Sequence, residues 1–143
     1  MSRRADASSR PRSEGVTSLW GAVTSGLGEG AHFMGLDWVR QAIQKLLGFD
    51  PYPGTLNLRL VDTDALLAWR EIREGPALLL TAPEGCGGRL IRVVVAPDIP
   101  AAVVVPDVTR HGDDVLELVA AVHVRSHLGL KDDDRVTLRV TPS

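Results

Sequence analysis

The residues best suited to chemistry stand between Gly48 and Leu60, where a turn rich in proline and glycine leads into an alternating segment. Proline locks φ and glycine admits φ values that other residues avoid, so residues 51–54 are predicted to form the turn. The alternation that follows is typical of a half-buried strand and puts Thr55 and Asn57 on one face. Their two neutral oxygens could share a hard cation such as Mg²⁺ and leave other coordination sites for phosphate and water. From the spacing alone, ordinary polar residues on a solvent face are the simpler interpretation.

A second candidate is the run of glycines at every second position, Gly26, Gly28 and Gly30, directly after a predicted strand. Such a run lets the backbone approach a ligand closely and direct amide groups at an anion. It is neither a Rossmann fingerprint, whose glycine spacing differs, nor a Walker A loop, which ends in Lys-Ser/Thr. A flexible hairpin turn is the simpler interpretation.

A third candidate is the carboxylate of Glu117, in a strand predicted from Val115 to Val119. Alternation puts Glu117 between two valines on one face, with Leu116 and Leu118 on the other. A glutamate in such a strand is often exposed at an edge. If it lies in the mouth of a barrel, partial removal from water would suit it to proton transfer.

The scaffold for these groups is predicted from the apolar pattern of the 143 residues, 44% of which are hydrophobic. We expect a disordered tail at residues 1–15 and one domain at residues 16–143. The domain contains six or seven short strands and one clear amphipathic helix, which begins near Asp37 and ends before Gly48. Residues 62–71 fit a short helix or an irregular excursion. This pattern favours a small, mostly antiparallel barrel.

Charge and composition exclude several classes of function. A net charge of −2 gives no general attraction to nucleic acid or to an anionic membrane, and no helix-turn-helix segment is evident. The single cysteine, Cys86, cannot form an intramolecular disulfide. No apolar run approaches the roughly 20 residues that span a bilayer, and the start lacks the apolar core of a secretory signal. A cytoplasmic protein is therefore the expectation. We also expect a monomer.

Four blocks of sequence, in order, resemble the CTP-dependent riboflavin kinases of the archaeal type. They are residues 23–30 (VTSGLGEG), residues 47–58 (LGFDPYPGTLNL), residues 103–106 with Thr109 and His111, and residues 117–120 with Arg125 and residues 128–132. The resemblance implies a mainly β fold: a small six-stranded cradle-loop (RIFT-like) β-barrel with one amphipathic helix and short helical turns. It also makes the glycine-rich run and the Thr/Asn pair the favoured functional residues.

The activity that the resemblance implies is transfer of the γ-phosphoryl group of CTP to the 5′-hydroxyl of riboflavin, which gives FMN and CDP. The implied metal is Mg²⁺, bound by Thr55 and Asn57. The implied flavin-binding residues are Thr109 and Glu117, and Glu117 is also the candidate catalytic residue. The implied nucleotide-binding residues form two stretches: Leu27, Gly28, Glu29, Gly30, Ala31 and His32, and then Ala121, Val122, His123, Val124, Arg125 and Ser126.

The sequence also departs from the family pattern. Ala31 stands where the family carries a basic or aromatic residue, Ala121 replaces a proline, and Asp133 replaces a glycine. These changes leave the choice of nucleotide, CTP or ATP or another, open. Two alternatives to a kinase also stay open: a non-catalytic barrel of the same family that binds flavin or nucleotide, and a protein-interaction module. The expected partners are small molecules, with neither nucleic acid nor membrane.

Overall fold

The apolar pattern of the sequence folds into short strands joined by helices and turns. A computed structural model describes residues 17–24, 35–82, 87–107 and 114–140; the predicted tail, residues 1–15, lies outside them. Within these ranges the strands are β1 (Thr17–Thr24), β2 (Leu56–Arg59), β3 (Leu78–Leu80), β4 (Gly88–Val95), β5 (Ile99–Pro106), β6 (Val115–Ala120) and β7 (Arg135–Val140). The helices are α1 (Asp37–Leu47), α2 (Thr63–Arg73) and α3 (Val124–His127).

Six of the strands close into an antiparallel barrel. Hydrogen-bonded neighbours run in the order β4, β5, β6, β2, β1, β7, and the last two residues of β4 pair with β7 to complete the ring. β3 pairs with the first part of β4 and lies outside the barrel. The predicted six-stranded barrel is confirmed. Because the ring is closed, its strands pair with one another on both sides.

The alternating apolar residues of the strands point into the barrel. On β2, Leu56 and Leu58 are buried in the interior cluster, and Leu60 continues it just beyond the strand. Gly21 on β1 faces the same interior. A Cβ atom at Gly21 would lie 3.0 Å from the Cβ of Leu58 and 3.1 Å from the carbonyl oxygen of Arg59. Close packing of β1 on β2 therefore requires a residue without a side chain at this position.

Helix α1 covers the outside of the barrel wall. Its buried residues, Val39 and Ile43, belong to a second apolar cluster with outward-facing residues of β4, β5 and β6: Leu90, Ala102, Val104 and Val119. The helix ends at Gly48, which adopts the left-handed conformation (φ 82°) and donates its N–H to the carbonyl oxygen of Gln44 at 3.0 Å. The chain then passes directly into the turn that precedes β2.

The segment for which the sequence left a short helix or an irregular excursion open is helix α2, of 11 residues. Asp62 caps its start, because its side chain accepts a hydrogen bond of 3.0 Å from the N–H of Ala65. Ala65 and Trp69 are buried with the barrel interior, whereas Leu67 is exposed. The domain thus has a second long helix besides the one that the sequence indicated clearly. None of the helices in the described ranges combines the length and the apolar character needed to cross a membrane.

Candidate active site

A cavity of about 270 Å³ opens at one end of the barrel. Its walls come from the last residue of β1, the beginning of β2, the end of β6, the loop between β6 and α3, and α3 itself. The turn before β2 adds Tyr52 and Gly54. Strand ends and loops therefore meet around one concave space, which is the usual setting of a small-molecule site.

Thr55 and Asn57 both line this cavity. Thr55 is half-buried, and Asn57 is only 5% exposed. The Oδ1 atom of Asn57 is buried and accepts no hydrogen bond from any residue that the structure describes. An ordinary polar residue on a solvent face would be hydrated, so the simpler interpretation of this position is wrong for Asn57. A buried acceptor without a partner is costly and calls for a ligand or another compensating group.

Three polar side chains form a row across neighbouring strands. The Cα atom of Asn57 on β2 pairs with that of Thr24 on β1 and with that of Glu117 on β6. Residues directly opposite in an antiparallel pair carry their side chains on the same face, with Cβ atoms about 5 Å apart. Asn57 and Glu117 are thus direct neighbours, and Thr24, which lines the cavity, flanks Asn57 on the other side.

Glu117 is buried, with 2% of its surface exposed, and its Oε1 atom is enclosed. Its strand β6 is paired on both sides, with β5 and with β2, so Glu117 does not stand on a sheet edge. The alternative of an exposed glutamate on a sheet edge is therefore excluded. Its neighbours Leu116 and Leu118 point into the barrel interior, so Glu117 faces outward from the barrel wall.

The loop after β6 supplies one side of the cavity. Of the six nucleotide-binding residues predicted there, four line it: Val122, His123, Val124 and Arg125. Ala121 and Ser126 do not line it, but Ser126 shares a hydrogen bond of 2.6 Å between its Oγ and the Nδ1 of His123. The structure thus brings this stretch together with the Thr/Asn pair, although the two are remote in the sequence.

Arg125 contributes a positive charge to the cavity wall. Its Nη2 donates a hydrogen bond of 2.8 Å to Oδ1 of Asp132, in the turn before β7. Its carbonyl oxygen accepts a bond of 2.8 Å from the N–H of Leu130. Both backbone and side chain of Arg125 are therefore held by the segment 130–132.

Among the cavity-lining residues that sequence reasoning missed, two have polar side chains, Thr24 and Tyr52. Thr24 could have been found by extending the alternation of β1 to its last residue, which shares a face with Ser18, Trp20 and Ala22. Tyr52 lies within the predicted turn of residues 51–54, but the sequence predicts no neighbour for its ring. The ring stacks on His123, with centroids 4.8 Å apart and planes inclined by 20°.

Two groups of predicted site residues lie outside the described residues. They are Thr109 and the stretch Leu27, Gly28, Glu29, Gly30, Ala31 and His32. Cys86 and His111 also lie outside them.

The donor set of the cavity fits a hard divalent cation. The hydroxyl of Thr55 and the Oδ1 of Asn57, which accepts no hydrogen bond within the described part of the chain, are neutral oxygens, the kind of ligand that Mg²⁺ accepts. Among the residues described, no three or more His, Cys, Asp or Glu side chains cluster in a way that could hold a metal. A cation at the Thr/Asn pair would take its remaining ligands from water and from a phosphate-bearing substrate.

Comparison with known proteins identifies the family. The sequence model named for CTP-dependent riboflavin kinase, and described as "Domain of unknown function DUF120", matches residues 23–140. The chain belongs to the CTP-dependent riboflavin kinase family. The resemblance predicted from the four sequence blocks is thereby confirmed. The matched range includes the cavity-lining residues Thr24 to Arg125 and most of the barrel.

Relatives in this family carry the name riboflavin kinase. The protein from Pyrobaculum calidifontis is 45% identical over 127 residues, which cover 85% of this chain and 59% of the relative. The protein from Thermofilum pendens is 41% identical over 128 residues, 83% of this chain and 56% of the relative. The protein from Saccharolobus solfataricus is 37% identical over 125 residues, 84% of this chain and 71% of the relative. The chain thus spans less than two thirds of the first two riboflavin kinases.

Proposed function

We propose that this chain is a riboflavin kinase that transfers the γ-phosphoryl group of CTP to the 5′-hydroxyl of riboflavin, giving FMN and CDP, with Mg²⁺ as cofactor. Family membership and relatives named riboflavin kinase support the reaction class. The observation that carries the proposal is one cavity in which Thr55 and Asn57 face the same space as the loop that holds Arg125.

Phosphoryl transfer asks a protein mainly to position two substrates and to stabilise charge that spreads over the transferred group. Arg125 is proposed to meet the phosphates, because it is the guanidinium in the cavity wall and is fixed by Asp132 at 2.8 Å. Thr55 and Asn57 are proposed to hold Mg²⁺, which would neutralise phosphate charge when bound. Because both ligands are neutral, they add no negative charge opposite the phosphates.

Glu117 is proposed to orient the ribityl hydroxyl and to accept its proton. Its direct pairing with Asn57 supports this role, because in-line transfer requires the nucleophile beside the phosphate-binding groups. In the step, the hydroxyl oxygen forms a bond to the γ-phosphorus while the bond to the bridging oxygen of CDP breaks. The proton passes to the carboxylate of Glu117, and CDP leaves with the bond's electron pair.

The other predicted site residues enter the proposal through the family resemblance. Thr109 is proposed to contact the flavin, and residues 27–32 to contact the nucleotide. Within the loop after β6, Ala121 and Ser126 are proposed to act through the shape of the loop, since they do not line the cavity. We also propose that the protein is a monomer that acts in the cytoplasm.

The proposal is tested by mixing the purified chain with riboflavin, Mg²⁺ and each of the four ribonucleoside triphosphates, and by separating FMN from riboflavin by chromatography. FMN with CTP alone is the expected result. FMN with another nucleotide would keep the kinase and reassign its donor.

Failure has two distinguishable forms. Folded protein that binds riboflavin or CDP but forms no FMN with any donor would favour the non-catalytic member of the family. Folded protein that binds neither would favour the interaction module. Oligomeric state is read separately, from light scattering of the eluted protein.

A further inference from the structure

Tyr52 and His123 form an aromatic stack in the wall of the cavity. Their ring centroids lie 4.8 Å apart and the ring planes are inclined by 20°, which is stacked rather than edge-to-face geometry. Both residues line the cavity, Tyr52 from the turn before β2 and His123 from the loop after β6. The stack therefore joins the two segments that carry the metal-binding and nucleotide-binding residues of the proposed function.

Tyr52 also holds the start of the same loop through its backbone. Its N–H donates a hydrogen bond of 2.7 Å to the carbonyl oxygen of Ala120, the last residue of β6. Tyr52 is thus fixed at two points along this part of the chain, by its backbone at Ala120, directly before the loop, and by its ring at His123. Ala121 and Val122, between these points, are exposed. Neither residue is proline, which would fix φ at its position. The contacts at Tyr52 therefore set the course of the loop.

Gly54 leaves the space in which the tyrosine ring lies. A Cβ atom at Gly54 would lie 3.3 Å from Cε2 and 3.5 Å from Cδ2 of Tyr52. The N–H of Gly54 donates to the carbonyl oxygen of Tyr52 at 2.8 Å, which closes the turn just before Thr55. The ring of Tyr52 therefore lies beside Gly54 and stacks on His123. His123 is in turn held by Ser126, through the hydrogen bond of 2.6 Å between Nδ1 and Oγ.

We propose that the Tyr52–His123 stack is a positioning device that fixes the loop 121–126 relative to Thr55 and Asn57. Tyr52 acts through His123, and its ring is not assigned a contact with substrate. With the stack formed, the separation between Arg125 and the Thr/Asn pair, which line the same cavity, is fixed. Without it, the hydrogen bond from Tyr52 to Ala120 still ties the turn to the end of β6, but the nucleotide has to order the loop as it binds.

The inference rests on the proposed function, and a double-mutant cycle on nucleotide affinity tests it. The variants are Tyr52→Leu, His123→Leu and the two combined, and the probe is CDP with Mg²⁺, measured by calorimetry beside the KM for CTP. Each single variant is expected to weaken nucleotide affinity by about two- to ten-fold, the range for aromatic pairs. The combined variant is expected to lose no more than the weaker-binding single variant, because the two rings act as one unit.

Conservative variants separate stacking from other effects of the side chains. Tyr52→Phe keeps two stacked rings and is expected to keep the KM for CTP within about two-fold of wild type. His123→Phe restores a ring at that position and is expected to bind CDP more tightly than His123→Leu. His127→Leu is the matched control, because His127 is an exposed histidine at the end of α3 that does not line the cavity. It is expected to leave CDP affinity unchanged.

The same set of variants also tests the stack without any nucleotide, through the coupling of Tyr52 and His123 in urea unfolding. Additive losses of CDP affinity would overturn the inference, since His123 would then contact the nucleotide independently of Tyr52. Loss of affinity in His123→Phe equal to that in His123→Leu would overturn it as well. Wild-type protein that binds no CDP would refute the proposed function along with this role of the stack, even if the coupling in unfolding remained.

Discussion

Replacing Asn57 by leucine should make the protein more stable and inactive at the same time. Asn57 stands in β2, paired on both sides, and its Oδ1 is buried without a hydrogen-bond partner among the described residues. If Oδ1 of Asn57 is a cation ligand, its desolvation lowers the stability of the folded protein whenever no cation is bound. Leucine keeps the branched shape, has no acceptor to satisfy and suits a strand better than asparagine does.

The size of the effect follows from the burial of this one atom. An unsatisfied buried acceptor costs about 1–3 kcal/mol, which leucine would remove. Because leucine is larger than asparagine, tighter packing offsets part of this, and we expect a net gain of about 1–2 kcal/mol in the free energy of unfolding. For a domain of this size, this corresponds to a rise of about 3–8 °C in Tm. Mg²⁺ and CDP at about 100 times their Kd should stabilise the wild type by about 2.7 kcal/mol.

The assay is chemical unfolding of both proteins, first in EDTA and then with saturating Mg²⁺ and CDP. In EDTA, Asn57→Leu should be the more stable protein. With the ligands, the order should reverse, because only the wild type can bind the cation at this position. Arg59→Leu is the matched control: it adds a leucine on the same face of the same strand, at an exposed position outside the cavity, and should respond to the ligands as the wild type does.

Two results would refute this reasoning. If Asn57→Leu is less stable than wild type by 1 kcal/mol or more in EDTA, the carboxamide serves the fold rather than a ligand. If Asn57→Leu gains as much stability from Mg²⁺ and CDP as the wild type, the cation is bound elsewhere.

Three further predictions concern single residues. Glu117→Gln should lower kcat by about 100-fold or more while CDP affinity is kept, because amide cannot accept the proton; unchanged kcat in the FMN assay would exclude a base at this position. Asp133→Gly should raise the free energy of unfolding by about 0.5–1 kcal/mol, since Asp133 has φ 73°, and a lower urea midpoint would show that its side chain compensates for the strain. Gly21→Ala should destabilise by about 1–3 kcal/mol, because the new Cβ would lie 3.0 Å from that of Leu58; an unchanged melting curve would mean that β1 and β2 separate easily.

Much of the fold could be predicted from local patterns. The alternation of Leu56, Leu58 and Leu60 predicted the inward face of β2. The helical spacing of apolar residues such as Trp38 and Ile43 predicted α1. Helix α2 was less certain because Leu66 and Leu67 are adjacent in the sequence, and only packing shows that Leu67 is exposed while Trp69 is buried. The barrel was predicted from the count of strands, whereas its closure through β4 and β7 could not be, because that pairing joins remote parts of the sequence.

The site could be predicted only in part. The pattern of Thr55 and Asn57 and the family resemblance indicated segments that line one cavity in the structure, and the family model confirms the resemblance. The placement of Asn57 beside Glu117 and Thr24 could not be predicted, because it depends on pairing β2 with both β1 and β6, and these pairings join remote parts of the sequence. The contact between Tyr52 and His123 could not be predicted for the same reason, since these two residues are also remote in the sequence.

The register of β2 against β6 limits how this protein can change. Asn57 and Glu117 face outward while Leu58 and Leu116 face inward. Inserting or deleting one residue inside β2 would rotate the strand by one pleat, putting a leucine opposite Glu117 and a carboxamide among the interior side chains. Natural or engineered variants can therefore remodel the site by substitution, whereas differences in length can accumulate only in the connections and at the outer strand β3.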